Sequence, residues 1–183
     1  IPYIGADSGP SFLCFDKVST KLWLDRLGIS NTPYKFLTEF NLECAHEFFK
    51  AHKDIFIKAS QQGSSVGCYH VSKESELEHL IRNAFDYSPH VLLEKTIHGR
   101  ELEVAVFEYR GQIHVTEPGE IICPDGFYDF DQKYSRKSQT QTLAQASGLP
   151  KEIKQKIKEA SLLAFRSLHL RHLARVDFLY SEE

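Results

Sequence analysis

Methionine is absent from this 183-residue sequence, tryptophan occurs once, and no apolar stretch approaches the ~20 residues that a bilayer-spanning helix needs. No signal peptide opens the chain, so the protein is expected to be soluble and cytoplasmic, without a membrane partner. Cysteine is scarce as well. Cys14, Cys44, Cys68 and Cys123 lie far apart with no C-x-x-C pair, which favours reduced, mostly buried thiols over a disulfide framework or a metal cluster. Neither sign of charge dominates: 22 Lys and Arg face 25 Asp and Glu, for a formal net charge of −3. That balance leaves no broad electrostatic footprint for nucleic acid, so small-molecule chemistry is favoured. The G-x-x-x-x-G-K-[ST] signature is missing, which disfavours a P-loop kinase. Because the sequence starts at Ile1 and stops soon after the strand-like "LARVDFLY", it is expected to be part of a longer protein.

What is present supports a real core. With 42% hydrophobic residues, the chain suits one large domain or two small ones. Phe15, Val18, Leu22 and Leu27 fall on one helical face that Gly28 can close, and "TPYKFL" then reads as a strand. Leu42, Ala45, Phe48, Phe49 and His52 mark a second helix. "IFIKAS" and "VGCYHV" read as strands on either side of a loop. Ser72 can cap a helix whose Leu77, Leu80, Ile81, Ala84 and Phe85 keep helical spacing. After the extended "HVLLEKTI", the pattern turns antiparallel, with "ELEVAVFEYRGQIHVTE" alternating about a turn at Arg110-Gly111. A second subdomain therefore begins near residue 96, giving an α+β chain divided into 1–95 and 96–183. Residues 125–148 are polar and without period, and read as an active-site cover. Pro150 suits the first turn of a helix carrying Ile153, Ile157, Ala160, Ala164 and Leu168, whose Lys151, Lys154, Lys156 and Lys158 form a solvated face. "HLARVDFLY" is the final strand.

The chemistry-bearing stretch is "IKASQQGSSVG", a strand that ends in Lys58 and opens into amides, small hydroxyls and glycine. Bare N–H groups and serine hydroxyls in such a loop can wrap a phosphate that bulkier residues would exclude. Lys17, Lys58, Lys95, Lys133 and Arg175 each fall at or beside a strand or loop boundary, while Glu94, Glu101 and Asp177 are carboxylates in apolar settings. Taken singly, each is a common surface charge or local ion pair; their order is more informative.

In that order the chain resembles the ATP-grasp ligases, and within them the D-alanine-D-alanine ligase family. "IPYIGADSG…FDKVSTK" is similar to the family's entry into its central domain, "IKASQQGSSVG" to its glycine-serine flap, and "VLLEKTIHGRELEVAV" to its adenine hinge. "PGEI…FYDFDQKY" looks like its mobile loop and "LARVD" like the strand that reaches the metal. The resemblance implies an ATP-grasp fold, two α+β subdomains clasping ATP, with Mg²⁺ or Mn²⁺ as cofactor. It implies Lys17 and Lys58 on the phosphates, and Ser64 and Ser65 in the flap. Glu94, Lys95 and Ile97 would read the adenine edge, Glu101 the ribose hydroxyls, and Phe127 and Leu179 would wall the base. Lys133 would meet the γ-phosphate, Asp177 the metal, and Arg175 the tetrahedral oxyanion, with Ser64 and Tyr134 completing the catalytic set.

The implied reaction joins two D-alanines through an acyl phosphate for peptidoglycan synthesis, in a protein that is a homodimer at full length. The pair Lys133-Tyr134 favours the dipeptide branch, with D-serine and D-lactate ligases as alternatives. The family's preceding domain and the ligands that follow the last strand lie outside this sequence. A nucleotide-binding fragment without activity, or a different ATP-grasp ligase, therefore remains an alternative.

Overall fold

The computed structural model describes residues 3–123 and 140–182. Within them the chain forms two compact units, one of Leu13–Thr96 and the other of Ile97 onward together with the segment that ends at Phe12. Among the described residues no helix is long and apolar enough to cross a membrane. None of the four cysteines forms a disulfide, and none is buried: Cys14 is exposed and the others are intermediate, contrary to the expectation of mostly buried thiols.

The chain opens with α1 (Ser8–Phe15) and α2 (Lys17–Arg26), where one continuous apolar helix face was expected. Asp16 is the reason. Its carboxylate accepts from the Val18 and Ser19 N–H groups and so caps a new helix, and of the expected face only Val18 is buried while Phe15 and Leu22 are exposed. Helix α2 ends at Arg26 with Leu27 as its C-cap, and Gly28 follows at φ +71°.

The first unit then alternates strands and helices. Strand β1 (Tyr34–Leu37) leads into α3 (Leu42–His52), which Asn41 caps through the Cys44 N–H at 2.9 Å. Strands β2 (Ile55–Ala59) and β3 (Cys68–Val71) pair across the serine loop. Ser72 does not cap the following helix: a 3₁₀ turn over Glu74–Glu76, preceded by Lys73, feeds α4 (Leu77–Phe85) directly. Strand β4 (Val91–Lys95) completes an antiparallel sheet in the order β1-β4-β2-β3. Alternation along β2 sends Ile55, Ile57 and Ala59 into the core, with Phe48 and Phe49 of α3 and Leu77, Ile81 and Ala84 of α4. Burying each large aliphatic contributes about 1.5–3 kcal/mol. Phe56 and Lys58 therefore belong to the opposite face of the sheet.

In the second unit the long strand β5 (Arg100–Tyr109) organises the sheet. It turns through Arg110 and Gly111, both at positive φ, into β6 (Gln112–Val115), the two-residue primed hairpin that the alternation predicted. Its residues 101–103 pair with β7 (Gly119–Ile122), and its residues 100–107 pair with β9 (Leu173–Tyr180). Residues 124–139 lie outside the described residues, and the expected loop does not run unbroken to Gly148. Gln141–Leu143 forms β8 against β7; all three residues are exposed, so no burial period marked the strand in sequence. Helix α5 (Lys151–Ser167) follows Pro150, which sits at the N-cap. Leu102, Val104 and Val106 of β5 pack with Ala146, Leu149, Ile157 and Phe165. The lysine face of α5 is partly paired, because Lys158 bonds Glu117 and Lys154 approaches it at 3.8 Å.

Candidate active site

In the unit of Leu13–Thr96 three lysines gather on one carboxylate and one loop. Glu94 is only 7% exposed, and Lys58 Nζ donates to its Oε2 while Lys21 Nζ lies 2.7 Å from its Oε1. Burial alone would push the Glu94 carboxyl up, but Lys58 and Lys21 bring it below the ordinary carboxylate range. Lys21 also lies over the Tyr34 ring at 5.0 Å. The third cation, Lys17, donates to the carbonyls of Ala59 at 3.2 Å, Ser60 at 3.3 Å and Gln62 at 2.5 Å. Burial and the like charge of Lys58 push Lys17 below the usual lysine value, against the pull of Cys68, Glu94 and Asp16.

Between β2 and β3 the chain turns on Val66 N–H to Gly63 carbonyl and Cys68 N–H to Ser65 carbonyl bonds. Ser64 and Ser65 sit at φ 50° and 62°, a left-handed conformation that non-glycine residues hold at a cost. Gly67, at φ +64°, closes the loop where a Cβ would lie 2.7 Å from the Ala59 Cβ and 3.2 Å from Tyr87. Its carbonyl accepts from the Ala59 N–H at 2.7 Å. No side chain fits there.

In the other unit, strand register assembles the charges. Glu103 lies directly opposite Asp177 and Glu101 opposite Leu179, on the face of β5 away from Leu102 and Val104. Arg175 Nε donates to Asp177 Oδ1 at 2.7 Å and Nη2 to Oδ2 at 3.0 Å. Its Nη1 lies 2.9 Å from Glu103 Oε1, an ion contact without hydrogen-bond alignment. The Asp177 bonds, set against partial burial, hold the guanidinium charged above even its usual range. Arg175 and Asp177 remain open, at 61% and 50% side-chain exposure. Among the described residues no group of three metal-ligating side chains occurs. Two facing carboxylates nevertheless suit Mg²⁺, which keeps waters and takes further oxygens from substrate phosphates.

Thus Lys17, Lys58 and Glu94 come together in one unit with Ser64 and Ser65 in the adjoining loop. Arg175, Asp177, Glu101 and Leu179 share one strand pair in the other. Lys95 ends β4, its N–H bonding the Pro33 carbonyl at 2.9 Å, and Ile97 follows two residues on. Phe127, Lys133 and Tyr134 lie outside the described residues. Sequence reasoning missed Lys21, Glu103 and Asp16 as members of these clusters. An N-cap signal was available for Asp16; Lys21 and Glu103 carry no local signal, since only the fold brings them to their partners.

Two antiparallel α+β units, one with a glycine-serine loop beside lysines and one with carboxylates on its open sheet face, define an ATP-grasp fold. The family model described as D-ala D-ala ligase C-terminus matches residues 23–183, and the chain belongs to the D-alanine–D-alanine ligase family. Over its whole length it is 49% identical to the D-alanine–D-alanine ligase of Shewanella halifaxensis, of which it covers 56%. The solved structure of D-alanyl-alanine synthetase A from Vibrio cholerae superimposes on all of it with a TM-score of 0.91 at 40% identity, over 56% of that chain. The VanG D-Ala:D-Ser ligase of Enterococcus faecalis matches with a TM-score of 0.82 at 32% identity, over 53% of that chain. The chain thus spans little more than half the length of the relatives it matches.

Proposed function

We propose that this chain supplies the nucleotide-binding and catalytic part of a cytoplasmic, ATP-dependent D-alanine–D-alanine ligase of peptidoglycan synthesis, homodimeric as a whole protein. The observation that carries the reading is the family's serine loop lying directly beside the Lys17 ammonium, with Lys58 one step along β2. Lys17 and Lys58 are assigned to the ATP phosphates, Ser64 and Ser65 to the flap that covers them, and Lys133 to the γ-phosphate. Lys58 starts on Glu94 and moves to phosphate when nucleotide enters; Lys21 stays on Glu94, so the buried carboxylate keeps a counter-charge throughout. Glu94, Lys95 and Ile97 read the adenine edge, Phe127 and Leu179 wall it, and Glu101 accepts from the ribose hydroxyls.

A carboxylate oxygen of the first D-alanine bonds to the γ-phosphorus as its bond to ADP breaks. The amine of the second D-alanine then bonds to the acyl carbon, and phosphate leaves with the former carboxylate oxygen. Arg175 offsets the oxyanion that forms in this second step. Asp177, with Glu103 opposite it, is the part of the strand pair that would hold Mg²⁺, which when bound would screen the charge of the phosphates. Tyr134 is assigned to the acceptor, and the likeness to a D-Ala:D-Ser ligase makes D-serine the competitor to assay.

The test has two arms. Calorimetric titration of the chain with MgATP should give saturable 1:1 binding. A chimera in which these residues replace the matching segment of the Shewanella halifaxensis enzyme should release phosphate in a D-alanine-dependent way and yield D-alanyl-D-alanine. A chimera that folds, binds ATP and forms no dipeptide would refute the assignment.

A further inference from the structure

We infer that Asp16 is a positioning residue for ATP, a latch that fastens the base of the flap to the start of α2 and so sets where Lys17 and the serine loop stand. The inference rests on the reading of the flap as phosphate-binding and goes beyond it by naming a residue that touches neither phosphate nor metal.

Asp16 is 5% exposed, and its two oxygens serve two elements at once. Oδ1 accepts from the Val18 N–H at 3.0 Å, the Ser19 N–H at 3.4 Å and the Ser60 hydroxyl, while Oδ2 accepts from Gln61 Nε2 at 3.2 Å. A helix cap alone needs only the first two bonds. The others reach across to the two residues with which the chain leaves β2.

Ser60 is fully buried, and each of its polar groups is engaged. Its N–H donates to the His90 carbonyl at 3.0 Å, its carbonyl accepts from the Lys17 N–H at 3.1 Å and from Lys17 Nζ, and its hydroxyl also accepts from the Val18 N–H at 3.1 Å. Gln61 N–H is held by the Ser88 hydroxyl at 3.1 Å, and Gln62 Nε2 by the Tyr87 carbonyl at 3.0 Å. The flap therefore leaves from a clamped root, with Asp16 on one side and residues 87–90 on the other, and turns only beyond Gln62. Since Lys17 adjoins Asp16 in sequence and donates to Ala59, Ser60 and Gln62, releasing the latch frees the lysine and the flap together.

The cap and the latch can be separated. Asp16→Asn keeps an acceptor for the helix N–H groups but, with the Gln61 amide turned over to accept, replaces the charge-assisted bond at Gln61 by a weaker neutral one, so the flap side is loosened. Hydrogen exchange of the nucleotide-free chain should then speed up about tenfold at the Val66 and Cys68 amides, the equivalent of about 1.4 kcal/mol for a charge-assisted hydrogen bond made neutral, while Ile57 and Leu93 keep their protection. Adding Gln61→Glu, which reverses donor and acceptor across the same contact, should restore slow exchange at those two amides. In calorimetry Asp16→Asn should weaken MgATP binding about tenfold. Unchanged flap exchange, acceleration shared equally by Ile57 and Leu93, or loosened exchange with unaltered ATP affinity would each overturn the inference. Failure of the unsubstituted chain to bind MgATP would instead overturn the phosphate reading, because the exchange measurement is made without nucleotide.

Discussion

Two charged constellations in this molecule hold similar groups by opposite means. Around Glu94 the ions are buried and interlocked, with two lysines on one carboxylate and a third lysine seated on backbone carbonyls. Around Asp177 the ions are placed by strand register alone and stand open to solvent. A buried carboxylate between cations becomes costly once its balance is broken, whereas an exposed pair contributes little to stability and keeps its charges available. The first arrangement ties the proposed nucleotide site to the fold, so changes there touch stability as well as binding, whereas the second can serve a ligand with little effect on stability.

The comparison breaks most visibly at Glu94. Glu94→Gln leaves Lys21 and Lys58 facing each other without a counter-charge and should cost about 3 kcal/mol in urea unfolding, the lower part of the range for a broken buried pair. Lys58→Ala, which leaves Lys21 on Glu94, should preserve the fold and weaken ATP binding by about 1.5–3 kcal/mol in calorimetry, as expected for a lost charge-assisted contact. Arg175→Ala should shift the unfolding free energy by less than about 1 kcal/mol, and that small difference should shrink further in salt. Acid sharpens the same contrast. Because the Glu94 carboxyl is depressed in the folded state, its contribution is complete above the ordinary glutamate value of about 4.3 and fades as pH falls through the folded value. Unfolding curves between about pH 6 and pH 3 should therefore fall less steeply in Glu94→Gln than in the unsubstituted chain.

The same contrast explains what could be read from sequence. Helix α3, strand β2 and the Arg110-Gly111 hairpin were legible because burial there follows a strict period, and the family motifs were legible because their residues are contiguous. Lys21 was not, because its partner lies 73 residues further along the chain and neither residue marks the other. Asp16 was passed over although aspartate is a common helix cap, since Phe15, Val18 and Leu22 keep helical spacing across the break. Exposed β8 has no alternation to detect. Glu103 carries no mark of its own in the sequence, and only the register sets it opposite Asp177.

Strand β5 has a kinetic consequence. Its pairing with β6 needs only a two-residue turn, a hairpin event on the order of 1–10 μs, but its pairing with β9 joins Phe107 to Leu173 and Arg100 to Tyr180. Loops of 66 to 80 residues must close before that ladder forms, so β9 is expected to dock late in folding. Arg175 and Asp177 would then meet Glu103 only after the rest of the sheet is in place. Substitutions in the 173–180 ladder, such as Val176→Ala, should accelerate unfolding while leaving the refolding rate nearly unchanged, and stopped-flow chevrons showing slowed refolding instead would place β9 in the nucleus.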